Sequence, residues 1–333
     1  MKIATNGSSM AIPPIVVNAA KKSWNWQWNQ LMNGLAPSDR KGNYCRPISQ
    51  KLNAIVPAQE NLINRSSGQL PILIIGRSCP WAHRTWLIFQ LRNLNTNLQL
   101  LFAKADQNEG RWKIDPSWRG CNSLSAIYKL CGTPPNHRAT VPALIDPGEL
   151  PHQKPKILGN ESAQLVEALN LWPTKTQETN LAPIELKEEI NHWQNLLQPS
   201  VNNGVYKCGF ARNQKAYDQA SEELFNSLNK VEQNLSKRGP WLCGEIFTIA
   251  DIRLFPTLIR WESVYEPLFG CSQKPLWLFP SICDWRKKFF QLPKVAQTCD
   301  SEAWRNDYFG ALFPLRPSGI IPKAPDLKKL ING

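Results

Sequence analysis

The apolar run Pro71-Ile-Leu-Ile-Ile-Gly76 leads directly into Ser78-Cys79-Pro80-Trp81. From there Trp81, Thr85, Ile88 and Leu91 recur at helical spacing. A short apolar run closed by glycine reads as a buried strand, and the 3–4 residue period that follows reads as a helix. Strand, cysteine, proline and helix therefore follow one another without a gap. Downstream, the pattern predicts strands over Leu98–Ala103, Val141–Ile145 and Lys156–Leu158, a helix over Glu161–Leu171, and a long irregular stretch over 105–137 rich in Trp, Gly and Pro. Such an alternation is a small α/β layer.

Beyond Pro173–Pro183, which reads as a linker, the strand signal fades. Helical periodicity covers Ile184–Leu197, Gln214–Ser236, Ile249–Tyr265 and Pro280–Gln291. Thr248-Ile-Ala-Asp251 has the spacing of a capping box, in which hydroxyl and carboxylate each take an N–H of the other's segment. At about 150 residues per domain, 333 residues make two domains and a tail. The division expected is an N-terminal extension over 1–67, an α/β domain over 68–172, an all-helical domain over 183–300 and a tail over 301–333 whose Pro-, Gly- and Lys-rich end wraps or extends. In the extension, Trp24, Trp26 and Trp28 alternate, which in an extended segment places them on one face covering the body of the protein. Residues 1–38 lack Asp and Glu but show neither arginine nor a clear amphipathic helix, so cytoplasmic residence is expected, with organelle import as the alternative.

Nothing in the chain approaches 18 consecutive apolar residues, which excludes a membrane-spanning helix. The nine cysteines are scattered singly, unlike a disulfide scaffold, and point to a reducing compartment. No Cys-x-x-Cys or His-x-x-x-His occurs, so no metal is expected. The formal charge of +13 fits an anionic partner or a solvated basic surface. No nucleic-acid signature accompanies it, and a small acidic ligand would be served as well.

Cys79 is the residue that carries chemistry. A cysteine at a helix start faces unpaired N–H groups that favour the thiolate, and comparable sites titrate at roughly 3.5–7.5. Pro80 suits the first helical turn, where no N–H is needed. A depressed thiol pKa is therefore expected for Cys79, against the alternative of an inert buried thiol.

Cys79-Pro-Trp-Ala-His-Arg84 resembles the signature of the glutathionyl-hydroquinone reductases, the Xi class of glutathione transferases. Ala139-Thr-Val-Pro-Ala-Leu-Ile-Asp146 and Gly159-Asn-Glu-Ser162 are similar to that family's cis-proline strand and glutathione-binding turn. Asn202-Asn-Gly-Val-Tyr-Lys-Cys-Gly-Phe-Ala211, Ala250-Asp-Ile-Arg-Leu-Phe255 and Pro317-Ser-Gly-Ile-Ile-Pro322 continue the series in order. The resemblance spans roughly residues 70–325. It implies an α/β thioredoxin-like N-terminal domain followed by an all-α glutathione-transferase C-terminal domain, working as a homodimer on glutathione and aromatic glutathione conjugates.

The same resemblance assigns roles. Cys79 and Tyr206 would be catalytic, Tyr206 handling a proton at the aromatic substrate. Val141 would pair with the backbone of glutathione. Glu161 and Ser162 would take its γ-glutamyl end, where a helix start suits a carboxylate. Trp112 and Arg138 would also contact it, Arg138 offering a bidentate grip. In this chain Arg111 separates Gly110 from Trp112, where the family joins Gly directly to Trp. Tyr308 would line the aromatic pocket, although the histidines that flank it in the family are missing. With no second cysteine near Cys79, a mixed disulfide with glutathione would be resolved by another glutathione. An omega-like thioltransferase or dehydroascorbate reductase shares the Cys-Pro start, and a non-enzymatic binding module would keep the fold alone.

Overall fold

The protein is described by a computed structural model, which places residues 12–52, 62, 64–106, 110–150, 152–174 and 180–332. The first eleven residues, where the import alternative begins, and linker residues 175–179 lie outside the described residues. One six-stranded sheet runs in the order β4-β3-β2-β1-β5-β6. Its strands are β1 (Ile72–Gly76), β2 (Gln99–Asp106), β3 (Arg111–Trp118), β4 (Cys121–Ser123), β5 (Ala143–Asp146) and β6 (Lys156–Gly159). Only β1 and β2 pair in parallel; every other neighbour is antiparallel.

The helices are α1 (Pro14–Leu35), α2 (Pro80–Leu91), α3 (Leu124–Leu130), α4 (Ser162–Asn170), α5 (Lys187–Leu197), α6 (Gly204–Gly209), α7 (Gln214–Arg238), α8 (Ile249–Leu258), α9 (Glu266–Phe269), α10 (Pro280–Phe290), α11 (Ser301–Ala311) and α12 (Leu327–Asn332). Every residue of β1 is buried, so the continuous apolar run is the signature of a strand covered on both faces. The helix α2 packs on α4 and on α8, which joins the sheet layer to the helical layer. The capping box at α8 is present, and its Asp251 also accepts hydrogen bonds from the Leu242 N–H and the Trp285 indole. No helix is long and apolar enough to cross a membrane among the described residues.

Four expectations are corrected. The described residues of 105–137 are not irregular: they hold the end of β2, then β3, β4 and α3. Pro116 and the positive-φ residues Gly110, Arg119 and Gly120 hid the strands, because proline reads as a break. The register between β3 and β4 shifts between Lys113 and Trp118, which is where Pro116 is tolerated. The three alternating tryptophans are not extended but lie in the 22-residue helix α1, started by Pro14. Residues two apart on a helix point to different sides; Trp28 is half-buried and donates to the Pro314 carbonyl, while Trp24 and Trp26 are exposed. The segment read as Ile249–Tyr265 is two elements: the regular helix holds Pro256 within it and runs on to Leu258, and a π-helical turn covers Trp261–Tyr265. The tail is more structured than expected: α11 and α12 occupy it, with α12 packed on α10 through buried Leu327 and Ile331.

Candidate active site

Register brings separate motifs to one end of the sheet. β1 ends at Gly76, and its Ile74 is opposite Ala143, so the chain before β5 lies beside the loop that carries Cys79. Leu144 faces Gly159, which places the turn after β6 at the same end. Ala103 stands opposite Gly76 while Ala105 faces Trp112, which adds β3 to the group. Thus Cys79, Val141, Glu161, Ser162 and Trp112, scattered over the sequence, share one end of the sheet.

Cys79 is half-buried as the residue before the first turn of α2, and its thiol faces the Val141 carbonyl at 3.7 Å. The Val141–Pro142 bond is cis. Burial pushes the Cys79 thiol above its ordinary value; the N–H groups of Ala82 and Trp81, then Arg260 and Arg46, oppose that rise without cancelling it. The expected depressed pKa is corrected accordingly. The helix-start N–H groups act as anticipated, but desolvation of a thiolate costs more than they return.

Around this loop the partners are specific. A Cβ on Gly76 would stand 2.5 Å from the Trp112 ring, so the indole lies directly against the strand that leads to Cys79. Glu161 is half-buried at the start of α4, and Ser162 is buried in its first turn. Buried Asn160 beside them accepts from the Leu52 N–H and donates to the Gln50 carbonyl. Arg138 is exposed; its backbone N–H is taken by the Gln50 side chain. The loop itself is braced by α11: Trp304 donates to the Arg77 carbonyl, Arg77 pairs with Asp300 at 3.3 Å, and Ser78 hydrogen-bonds Asp307.

Tyr206 on α6 and Tyr308 on α11 meet hydroxyl to hydroxyl at 2.5 Å, and Tyr265 lies 3.4 Å from Tyr308. Trp81 stacks on Tyr206 with centroids 6.2 Å apart, and Phe269 closes against the same ring at 5.3 Å. Burial pushes the Tyr206 and Tyr308 phenols well above their ordinary values, and Tyr265 up as well. All three are neutral O–H groups at pH 7, able to donate. Sequence reasoning missed Tyr265, which stands at the close of the π-helical turn, an irregularity that often marks functional segments.

It also missed Arg46. That guanidinium from the N-terminal extension lies 4.2 Å over the Trp81 ring and 6.0 Å from the Tyr206 ring, and donates to Asn203. Its segment crosses both layers. Gly42 accepts from the Arg212 N–H at the helical layer, while Gln50 and Leu52 bind the sheet layer. No periodicity marks a lone arginine in an irregular segment.

Residues 214–297 match the glutathione S-transferase C-terminal domain family. The chain is 31% identical over 262 residues to the glutathionyl-hydroquinone reductase PcpF of Sphingobium chlorophenolicum, covering 76% of this chain and 82% of that one. The chain belongs to the glutathionyl-hydroquinone reductase family, the Xi-class glutathione transferases. Its fold agrees. The glutathione-bound structure of YqjG from Escherichia coli K-12 superposes with a TM-score of 0.70 at 31% identity, covering 78% of this chain and 86% of that one. The Xi transferase of Phanerochaete chrysosporium gives 0.76 at 28% identity, with 86% and 94% covered. Membership of this family makes the protein a glutathione-dependent enzyme with a thioredoxin-like N-terminal layer and a glutathione-transferase helical layer.

Proposed function

We propose that the enzyme removes glutathione from glutathionyl-hydroquinones through a mixed disulfide on Cys79. The observation that carries the reading is the Tyr206–Tyr308 hydroxyl pair, joined to the Cys79 helix by the Trp81 stack. The Cys79 thiolate attacks the glutathione sulfur, and the carbon–sulfur bond to the ring breaks. Tyr206 delivers the proton that the leaving ring carbon needs, and Tyr308 returns one to it through their shared hydrogen bond. Hydroquinone leaves and Cys79 holds glutathione as a disulfide. A second glutathione attacks that disulfide as its thiolate, the proton it gives up restores the Tyr206–Tyr308 pair, and oxidised glutathione and the free Cys79 thiolate result. The two electrons that reduce the ring carbon thus come from one thiol and the substrate's thioether sulfur becoming one disulfide.

Glutathione is held, on this reading, by pairing with Val141, by Glu161 and Ser162 at the start of α4, and by Trp112 and Arg138 at the margins. The aromatic half stands against Trp81, Tyr206, Tyr265 and Tyr308. A phenol that burial holds neutral is poised to give a proton to carbon; reduction of a small disulfide has no use for it, since a thiolate leaves unaided. That difference favours the hydroquinone reading over a general thioltransferase. We further place the enzyme as a homodimer in the cytoplasm, where its nine free cysteines stay reduced. The test is turnover of a glutathionyl-hydroquinone with one oxidised glutathione formed per hydroquinone, set against dehydroascorbate under the same conditions. Faster turnover of dehydroascorbate would overturn the reading.

A further inference from the structure

Arg260, in the turn between α8 and the π-helical segment, is 0% exposed. A buried guanidinium ordinarily sits against a carboxylate, because an unpaired interior charge costs several kcal/mol or more. Among the described residues no carboxylate pairs with this one. Nη1 donates to His83 Nδ1 at 2.8 Å and to the Pro256 carbonyl at 2.9 Å. The guanidinium lies 4.1 Å over the Trp304 ring, and Nε and Nη2 have no partner. The nearby Glu262 is already spent on Arg286 at 2.8 Å.

Every one of these partners is neutral, and the structure enforces that for His83. Arginine only donates, so His83 Nδ1 must accept and Nε2 carries the proton. Nε2 then donates to Thr298 Oγ1 at 2.8 Å, whose own proton goes to the Val295 carbonyl at 2.7 Å. Burial and the adjacent Arg260 hold the His83 pKa well below its usual value. The imidazole fixes the guanidinium in place and leaves its charge intact.

The position of that charge is informative. His83 is one turn beyond Cys79 on α2 and accepts no charge of its own; Trp304 is one turn before Tyr308 on α11. Arg260 touches His83 on α2 and Trp304 on α11, and its charge acts on Cys79, on Tyr265 of the π-helical turn, on Cys299 and on Tyr308 of α11, with Arg46 from the extension also acting on Cys79. We propose that Arg260 is a positioning charge, held by neutral partners so that the anions formed at Cys79 and at the tyrosine cluster find their counter-ion already in place. A preorganised charge in a water-poor site needs no rearrangement when the anion forms. Its field opposes the burial that raises Cys79, Tyr265 and Tyr308.

The inference rests on Cys79 as the nucleophile, and its test uses no aromatic substrate, so failure of the hydroquinone reading alone leaves it standing. The measurement is the pH midpoint of Cys79 alkylation by iodoacetamide, followed at that residue by peptide mass spectrometry on the full chain with its folded state checked by circular dichroism. Arg260→Met should raise the midpoint by about one pH unit, a tenfold loss of thiolate at fixed pH. Arg260→Lys, which keeps the charge, should move it by less than half as much. Cys299→Asp keeps Arg260 and adds a carboxylate beside it; it should raise the midpoint as Arg260→Met does. A midpoint unmoved in a folded Arg260→Met or Cys299→Asp protein would overturn the proposal, as would equal shifts for Arg260→Met and Arg260→Lys. Failure of both Arg260→Met and Cys299→Asp to fold would also overturn it, since the charge at this place would then serve the fold.

Discussion

The Tyr206 hydroxyl lies 2.5 Å from the Tyr308 hydroxyl, although 102 residues separate them in the chain. At that separation one phenol must donate and the other accept, so the two form a single proton-holding unit. Both are buried and both are held neutral. If Tyr206 protonates the leaving ring carbon, Tyr206→Phe should slow hydroquinone release by about 10²–10⁴-fold, the usual range for a positioned acid. Reduction of hydroxyethyl disulfide should be nearly unchanged. The quantity to measure is the ratio of the two rates, and equal losses would reduce Tyr206 to a packing residue. Tyr308→Phe should give the same split, more weakly, because the proton donor keeps its place and loses its partner.

Cys79→Ser should abolish both activities, because the alcohol stays un-ionised at neutral pH and no other thiol faces Val141. A residual rate above roughly one per cent of wild type would count against the assignment, given the usual size of nucleophile losses. Three other thiols offer no substitute. Burial pushes Cys131 and Cys299 to about 12 and Cys243 to about 11.

Glu161→Ala should raise the glutathione KM with little change in rate at saturation, since contacts to the γ-glutamyl end are equal in ground and transition states. Steady-state kinetics with glutathione varied decides it; a fall in kcat at constant KM would remove Glu161 from the binding set.

Gly76→Ala tests how Trp112 is held. The new methyl would stand 2.5 Å from the indole, which must move. Overpacking of this kind costs about 1–3 kcal/mol, readable as a lower urea midpoint. A glutathione KM raised in parallel would place Trp112 in the binding site; stability loss with unchanged KM would confine it to packing.

Asp251 gives a pH dependence with a definite sign. Burial raises its pKa to about 6, above the 3.8 of the unfolded chain, despite hydrogen bonds from Leu242, Thr248 and Trp285. The folded state therefore binds the proton more tightly. Its contribution is fully present below about pH 4 and is lost as pH rises through about 6, on the order of 1–3 kcal/mol. Urea unfolding between pH 4 and pH 7 should show that fall in wild type, and Asp251→Asn should flatten it.

Local pattern made much of this protein legible. The apolar run to Gly76, the Cys-Pro helix start, the helices of the second half and the Thr248–Asp251 cap are each decided within a few residues, by periodicity and by who satisfies an N–H. The resemblance carried by Cys79–Arg84 and Asn202–Ala211 named the family, which the comparisons then established. Where local chemistry misled, one competing effect explains it. Pro116 concealed β3, and the two-residue spacing of Trp24, Trp26 and Trp28 imitated a strand inside a helix.

The sequence by itself determined the fold class, the place of Cys79 at a helix start and the absence of a neighbouring thiol. Only the tertiary structure decided that Tyr265 joins Tyr206 and Tyr308, that Arg46 reaches Trp81 from the extension, and that Arg260 is buried without a carboxylate. It also reversed the sign expected for the Cys79 pKa. The reason is common to all four. Hydrogen bonding at a helix start is a property of neighbours in sequence, whereas burial and field are sums over whatever packing brings close, and no local pattern contains that sum.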